Sequence, residues 1–359
     1  MRVFNFSAGP STLPLAVLED VQAEFVDYRG HGVSIVEMSH RSAPYEAVHR
    51  SAGLLIRELL GVPEEFDVVF IQGGATMQFG MLAMNLLTEG FKGAYIDTGA
   101  WASRALDDAS HHGEVYSAWS GRDTGYVRVP DSGELTIRDN TRYLHLTSNE
   151  TIGGVQFKEW PDVPVPLVAD MSSDFMSRPI PWRRFDVVYG GVQKNLAPAG
   201  LALVFVRRSI LDYTRHDLAS YFRYDVHANK DSMYNTPPVF PIYVMEKVLR
   251  WMRSQGGLPA MEIAAERRAG LIYRTIDESG GFYVGTVEPA NRSNMNIVFR
   301  IANHALEARF VDEATARGMP GLKGHRSMGG CRASVYNAMP LEGVEALVEF
   351  MADFQRNAN

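Results

Sequence analysis

Cysteine is nearly absent from this 359-residue chain. Cys331 stands alone, so no intrachain disulfide can form, and no Cys-x-x-Cys or Cys/His spacing exists to build a structural zinc site. A reducing compartment is expected. Basic charge is not in excess either: 35 Lys and Arg stand against 42 Asp and Glu, for a formal net charge of −7. That balance argues against a broad nucleic-acid-binding face but leaves room for a local cationic pocket. No apolar run approaches the ~18 residues of a membrane span. The opening stretch MRVFNFSAGPSTLP lacks the apolar core of an export signal. A soluble, cytoplasmic protein without membrane or nucleic-acid partners is expected. Internal repeats and low-complexity tracts are also missing.

What is present is an ordinary globular balance, 46% hydrophobic and 21% charged, in a chain long enough for two domains. The first fifteen residues, rich in Ser, Gly and Pro, read as an arm. A helix follows, with Pro14 in its first turn, Leu18, Val21 and Phe25 near helical spacing, and Gly30 as its end. Apolar strand-like runs then alternate with helix-like ones. FDVVFIQGG, GAYIDTG, RYLHLTSNE, VPLVADMSS, FDVVYGG and LALVFVRR are the strands. ATMQFGMLAMNLL and AWASRALDDASHH are helices between them. Strands apolar on both faces and interleaved with helices predict an α/β fold, a mostly parallel sheet covered by helices. Beyond a long helix ending at Gly256-Gly257 the texture changes to helices beside a few antiparallel strands. The expected division is a large domain over 16–257, with 1–15 as arm and 258–359 as a small α+β domain.

Sheets of this kind carry their sites beyond the carboxyl ends of the strands. Five features sit there: Gly73-Gly74-Ala75-Thr76, Trp101, Thr151, Asp170 and Lys194. Lys194 is the odd one, a lysine on a turn between RFDVVYGG and GLALVFVRR with no acidic neighbour in YGGVQKNLAPAG. Taken singly, each has an ordinary reading: Asp170 as a turn residue, Trp101 as core, Lys194 as a surface lysine. Taken together they suit pyridoxal 5'-phosphate. An aldehyde needs an amine for a Schiff base, a pyridine nitrogen needs an acid partner, a phosphate fits a glycine turn at a helix N-terminus, and a flat ring needs an aromatic face.

The ordered blocks FNFSAGPSTLP, MSHR, NET, AD.SS, QKN.APAG, NTPP, NRSNMN, GHR..GG.RAS.YNAMP and LEGV make the specific match. On them the chain resembles the phosphoserine aminotransferase family, in the class V group of the fold-type I pyridoxal-phosphate enzymes. The resemblance implies a seven-stranded-type large domain. Lys194 would hold the cofactor and move the proton, Asp170 would pair with the ring nitrogen, Trp101 would stack on the ring and Thr151 would bond its phenolic oxygen. Ala75, Thr76 and Gln193 would hold the phosphate, with Asn235 and Thr236 reaching it from the second subunit of a homodimer. Arg332 would take the α-carboxylate, and His40, Arg41, His325 and Arg326 the distal phosphate or carboxylate. No metal is implied. Some relatives carry an arginine in the phosphate loop, where GGATMQF has Thr76; that position adds no charge here. The implied reaction passes an amino group between O-phospho-L-serine and 2-oxoglutarate in serine synthesis. By resemblance alone it extends to 4-phosphooxy-L-threonine in pyridoxine synthesis. An alanine- or serine-glyoxylate type of the same class is the rival reading, and the His-Arg pairs at 40–41 and 325–326 speak against it.

If Lys194 is the attachment point, borohydride reduction and digestion of the cofactor-loaded protein will leave the pyridoxyl mass on the peptide containing Lys194. Mass spectrometry that finds it on another peptide contradicts this assignment.

Overall fold

The six apolar runs and one further strand pair into one sheet in the computed structural model, which describes residues 2–358. Helices α1 (Leu15–Glu24) and α2 (Ala43–Leu60) precede it. Strand β1 (Phe66–Gly73) leads into α3 (Ala75–Leu86), and β2 (Lys92–Asp97) into α4 (Ala100–Ser110). Then come β3 (Glu114–Ser120), β4 (Thr141–Thr147), β5 (Leu167–Asp170), β6 (Val187–Gly191) and β7 (Gly200–Arg207). Two short helices, α5 (Arg208–Leu211) and α6 (Tyr224–Asn229), lead to the long α7 (Val239–Ser254). The strand order is β1-β7-β6-β5-β4-β2-β3. Strand β7 runs antiparallel to both its neighbours, and the other pairings are parallel.

Alternate residues of the central strands enter two cores. Val188, Leu203 and Phe205 pack on one face against α1, α2 and α7, through Val17, Val48 and Val244. Val187, Val204 and Val206 pack on the other against α3 and α4, through Phe79, Leu82 and Ala105. Burial on both faces is why these strands read as unbroken apolar runs.

The remainder comprises α8 (Gly257–Asp277), β8 (Tyr283–Gly285), β9 (Asn296–Ile301), α9 (Leu306–Ala316), β10 (Cys331–Ser334) and α10 (Leu341–Asn357). Its three strands form an antiparallel sheet in the order β10-β9-β8. The helices cover that sheet around Phe299, Phe310 and Phe350, and Phe6 of the arm joins the same core. The arm is stitched there by Phe4 N–H to Gly318 O and Phe6 N–H to Pro320 O, both 2.9 Å.

The first helix stops at Glu24 rather than at Gly30. The Glu24 carboxylate accepts from the Tyr243 hydroxyl at 2.7 Å and pairs with Lys247 at 3.0 Å, which ties the helix end to α7. Asp27 is then extended, and Gly30 falls in a separate short 3-10 turn. Helix α2 and strands β3 and β8 escape the sequence reading. β3 is an edge strand of mixed exposure and β8 is only three residues long, so neither shows a sustained apolar run.

Strand β6 delivers the chain to the sheet edge through Gly190 and Gly191. A Cβ on Gly190 would lie 2.4 Å from the Phe175 ring and 2.9 Å from the Ser172 backbone. The ring sits in the core, and the backbone belongs to the turn after β5, so neither yields easily. Gly190→Ala is therefore expected to cost about 1–3 kcal/mol of stability, read as a lower urea midpoint at unchanged slope.

Candidate active site

A pocket opens at the carboxyl edge of β1, β2, β4, β5 and β6, lined by Ala75, Thr76, Trp101, Thr151, Asp170, Gln193 and Lys194 among others. These seven expected residues come from five separate connections, and the parallel strands bring them together. The turn after β6 presents Lys194 and is closed by Leu196 N–H to Val192 O at 3.0 Å. Lys194 is buried, its Nζ donates to the Thr151 hydroxyl, and it lies 5.7 Å from the Trp101 ring centroid. Among the described residues it has no ion-pair partner within 4.0 Å. Burial lowers its pKa to about 8, against the opposing pull of the Asp170 and Glu150 charges. A neutral amine is thus accessible near physiological pH.

Asp170 ends β5 and is buried. Its Oδ1 accepts two bonds from Ser172, from the backbone N–H at 2.8 Å and the hydroxyl at 2.5 Å. The Ser172 hydroxyl in turn accepts from Gly191 N–H at 3.0 Å, tying the acid to the strand that carries Lys194. Burial raises the carboxyl pKa, while the Ser172 bonds and the Lys194 charge hold it down. Oδ2 is left for a cation. A carboxylate ~4 Å from a positive charge at an effective dielectric of ~20 gains about 4 kcal/mol. That equals roughly three pKa units, enough to keep a weakly basic pyridine nitrogen protonated.

Helix α3 starts at Gly74 with no side-chain cap, so its first amides, at Ala75 and Thr76, face the pocket uncapped. Trp101 sits in the first turn of α4, with an indole N–H that has no partner. Arg332, on β10, donates from Nη1 to Thr151 O at 3.2 Å, and its Nε has no partner. Burial lowers its pKa, and among the described residues no carboxylate lies within 4.0 Å of it. Thr151 therefore touches the lysine through its hydroxyl and the arginine through its carbonyl.

The other expected residues stand apart from this pocket. His40 and Arg41 lie in the turn before α2, where Arg41 N–H bonds Ser39 Oγ at 3.2 Å. His325 and Arg326 occupy the loop before β10, where His325 Nδ1 lies 2.7 Å from Ser327 Oγ. Burial lowers the His325 pKa, and the charges of Arg332 and Arg326 add to that. Asn235 lies 3.5 Å from Gln72 Oε1 at the end of β1, and neither it nor Thr236 lines the pocket.

Three contributors were missed in the sequence. Ser172 is one. Ser11 of the arm is another, donating from its hydroxyl to Lys194 O and from its N–H to Gln193 O at 3.1 Å. The third is Glu150, fully buried beside Trp101. All three lie inside matching blocks, Ser11 in FNFSAGPSTLP, Ser172 in AD.SS and Glu150 in NET, but the blocks alone assign them no role. Among the described residues no cluster of three His, Cys, Asp or Glu is placed to hold a metal ion. A shielded amine, an acid with one oxygen uncommitted, uncapped helix amides and an aromatic face are the donor set pyridoxal phosphate requires, so the residues fit that cofactor.

The lowered Lys194 pKa has a direct readout. The neutral fraction rises with pH and saturates above the folded pKa. Capture of pyridoxal phosphate by cofactor-free protein, trapped with borohydride, is expected to reach half its maximal rate near pH 8. An ordinary lysine would need about pH 10.4, and a midpoint there would refute the desolvation argument.

A model of the family described as aminotransferase class-V matches residues 3–347. The phosphoserine aminotransferase of Niallia circulans is 51% identical over 357 residues, 99% of either chain. A solved phosphoserine aminotransferase from Bacillus circulans subsp. alkalophilus matches with a TM-score of 0.98 at 50% identity, covering 100% of this chain and 99% of that one. A pyridoxal-phosphate-bound phosphoserine aminotransferase from Trichomonas vaginalis matches at 36% identity with a TM-score of 0.92, covering 98% of this chain and 100% of that one. With its sheet, its pocket and its near full-length matches in agreement, the chain belongs to the class-V aminotransferase family.

Proposed function

We propose that this protein is a pyridoxal-phosphate-dependent phosphoserine aminotransferase. It interconverts O-phospho-L-serine and 2-oxoglutarate with 3-phosphooxypyruvate and L-glutamate, a step of serine synthesis. The observation that carries the reading is the buried Lys194 amine, without an acid partner, between Thr151 and Trp101. The near full-length likeness to phosphoserine aminotransferases supports the choice of substrate.

Pyridoxal phosphate, when bound, supplies an aldehyde that takes up amino groups and a ring that delocalises the electron pair released at Cα. The chain's own residues do the rest. In this reading Lys194 would anchor the cofactor, and its neutral amine would take up and give back the proton of the substrate Cα. Asp170 holds a proton on the ring nitrogen through the oxygen that Ser172 leaves uncommitted. Trp101 covers one ring face and keeps water from it. Thr151, whose hydroxyl now meets Lys194, would offer it to the ring oxygen. The amides of Ala75 and Thr76, with Gln193, bind the phosphate. Arg332, which bonds the Thr151 carbonyl and keeps its Nε without a partner, would take the α-carboxylate as a planar fork.

The distal anion falls to Arg41, His40, His325 and Arg326. Among the described residues the two arginines have no acidic partner within 4.0 Å, and an uncharged donor side chain would not need them. This favours a phosphorylated donor over the alanine- or serine-glyoxylate alternative. The same reading makes the enzyme a homodimer. Asn235 and Thr236 are then directed at the partner's phosphate, and the exposed Phe25, Val26, Val33 and Val36 are apolar surface suited to a second copy. The division at 257/258 goes with it, supported by the separate core around β8–β10. No helix of the described residues is long and apolar enough to cross a membrane, in keeping with the cytoplasmic placement proposed.

A spectral titration tests the whole reading. Phosphoserine should bleach the visible band of the holoenzyme, and 2-oxoglutarate should restore it. Serine or alanine acting as better donors than phosphoserine would overturn the substrate choice.

A further inference from the structure

Glu150 is a buried carboxylate to which the chemistry above gives no task. Its own backbone is pinned on both sides, N–H to Val155 O at 2.8 Å and C=O from Gly154 N–H at 2.7 Å. Among the described residues no cation lies within ion-pair distance of it. Instead it accepts two backbone N–H bonds at the start of α4, from Trp101 at 3.2 Å and from Ala102 at 2.9 Å. Those amides belong to the second and third positions of the helix, the ones an N-cap side chain ordinarily serves. Here the N-cap is Gly99 and supplies none. The glycine is needed for another reason: a Cβ there would lie 2.8 Å from Glu150 Cδ. A local Ser or Asp cap is thus replaced by a carboxylate from 49 residues away, which reaches the helix through the gap the glycine leaves.

The helix turn capped in this way is the one that carries Trp101. The indole N–H has no partner, so no side-chain hydrogen bond fixes the ring. Its position depends on the backbone anchor and on packing, with the Phe79 ring centroid 6.5 Å away. The residue after Glu150 is Thr151, which holds Lys194 and Arg332. A single dipeptide therefore sets the aromatic face against the amine. Charge supports the arrangement, since a helix N-terminus favours an anion. Burial raises the Glu150 pKa to about 7, and the two backbone bonds and Lys194 oppose that rise.

We propose that Glu150 is a positioning residue: its carboxylate, by bonding the Trp101 and Ala102 amides, holds the indole face beside the Lys194 amine, where it would stack on the cofactor ring. The proposal rests on the pyridoxal-phosphate reading. Glu150→Gln keeps the volume but offers one acceptor where two donors point, so it loses the Trp101 bond or the Ala102 bond.

The first readout does not involve the cofactor. In cofactor-free Glu150→Gln, amide exchange at residues 101–102 should quicken about tenfold, as expected for loss of a charge-assisted bond, while the rest of α4 stays protected. The second is pyridoxal phosphate affinity by equilibrium dialysis, in a cycle with Trp101→Ala. Glu150→Gln should weaken binding about tenfold when Trp101 is present and less than about twofold when it is absent. Equal losses in both backgrounds, or unchanged exchange at 101–102, would overturn the positioning role. If Glu150→Gln does not fold, Glu150→Asp, with its shorter reach, is put through the same two measurements and judged by the same outcomes. Failure of the wild-type protein to bind pyridoxal phosphate at all would instead sink the functional reading.

Discussion

A lysine side chain kept out of water without a carboxylate against it is the condition around which the pocket is arranged. Desolvation disfavours the ammonium form, and each neighbour of Lys194 is consistent with leaving that bias in place. Thr151 offers a hydroxyl and Trp101 a ring, neither of which neutralises a charge. Asp170 and Glu150 are near enough to be felt but are both engaged elsewhere, one by Ser172 and the other by the start of α4. Had either formed an ion pair with the amine, the lysine would stay protonated and would be a poor nucleophile. The fold separates these charges by giving each acid its own set of backbone and hydroxyl donors.

The antiparallel β8–β10 sheet and its flanking segments take part in the same arrangement. Arg332 comes from β10 and bonds the backbone of Thr151, and the arm is paired with residues 318–320 before Ser11 meets the lysine turn. Asn296 of β9 and Asn149 are 2.8 Å apart in a buried contact, and Asn337 N–H bonds the Asn195 side chain at 3.0 Å. The lysine turn is thus held by the large sheet, by the arm and by the segment after β10. Arg332 and Arg326, with no carboxylate within 4.0 Å among the described residues, belong to the same C-terminal segment.

What could be read in the sequence follows from range. Strands buried on both faces announce themselves in composition, as in VVYGG and LALVFV, and with them the sheet edge where Asp170, Thr151, Trp101 and Lys194 gather. Helix ends were less legible: α1 stops where Glu24 meets Tyr243 and Lys247, partners more than two hundred residues away. Ser172, Ser11 and Glu150 were missed for the same reason. A serine two positions after an acid, or a glutamate inside NET, has no local pattern to mark it, since what it does is decided by a distant donor or acceptor. His40, Arg41, Asn235 and Thr236 were named through resemblance to a family, and one chain alone leaves them outside the pocket.

The reversal of β7 has a consequence for how this chain can vary. Because β7 runs antiparallel beside β6, the connection bearing the lysine is a plain return, residues 192–199, with no intervening helix. A helical crossover can absorb an inserted residue by adding a fraction of a turn or lengthening a loop. A short return that is closed by its own backbone bonds, with Gly191 and Ala202 in fixed register, has nowhere to hide one. Length variation among relatives should therefore collect in the other connections and spare this one.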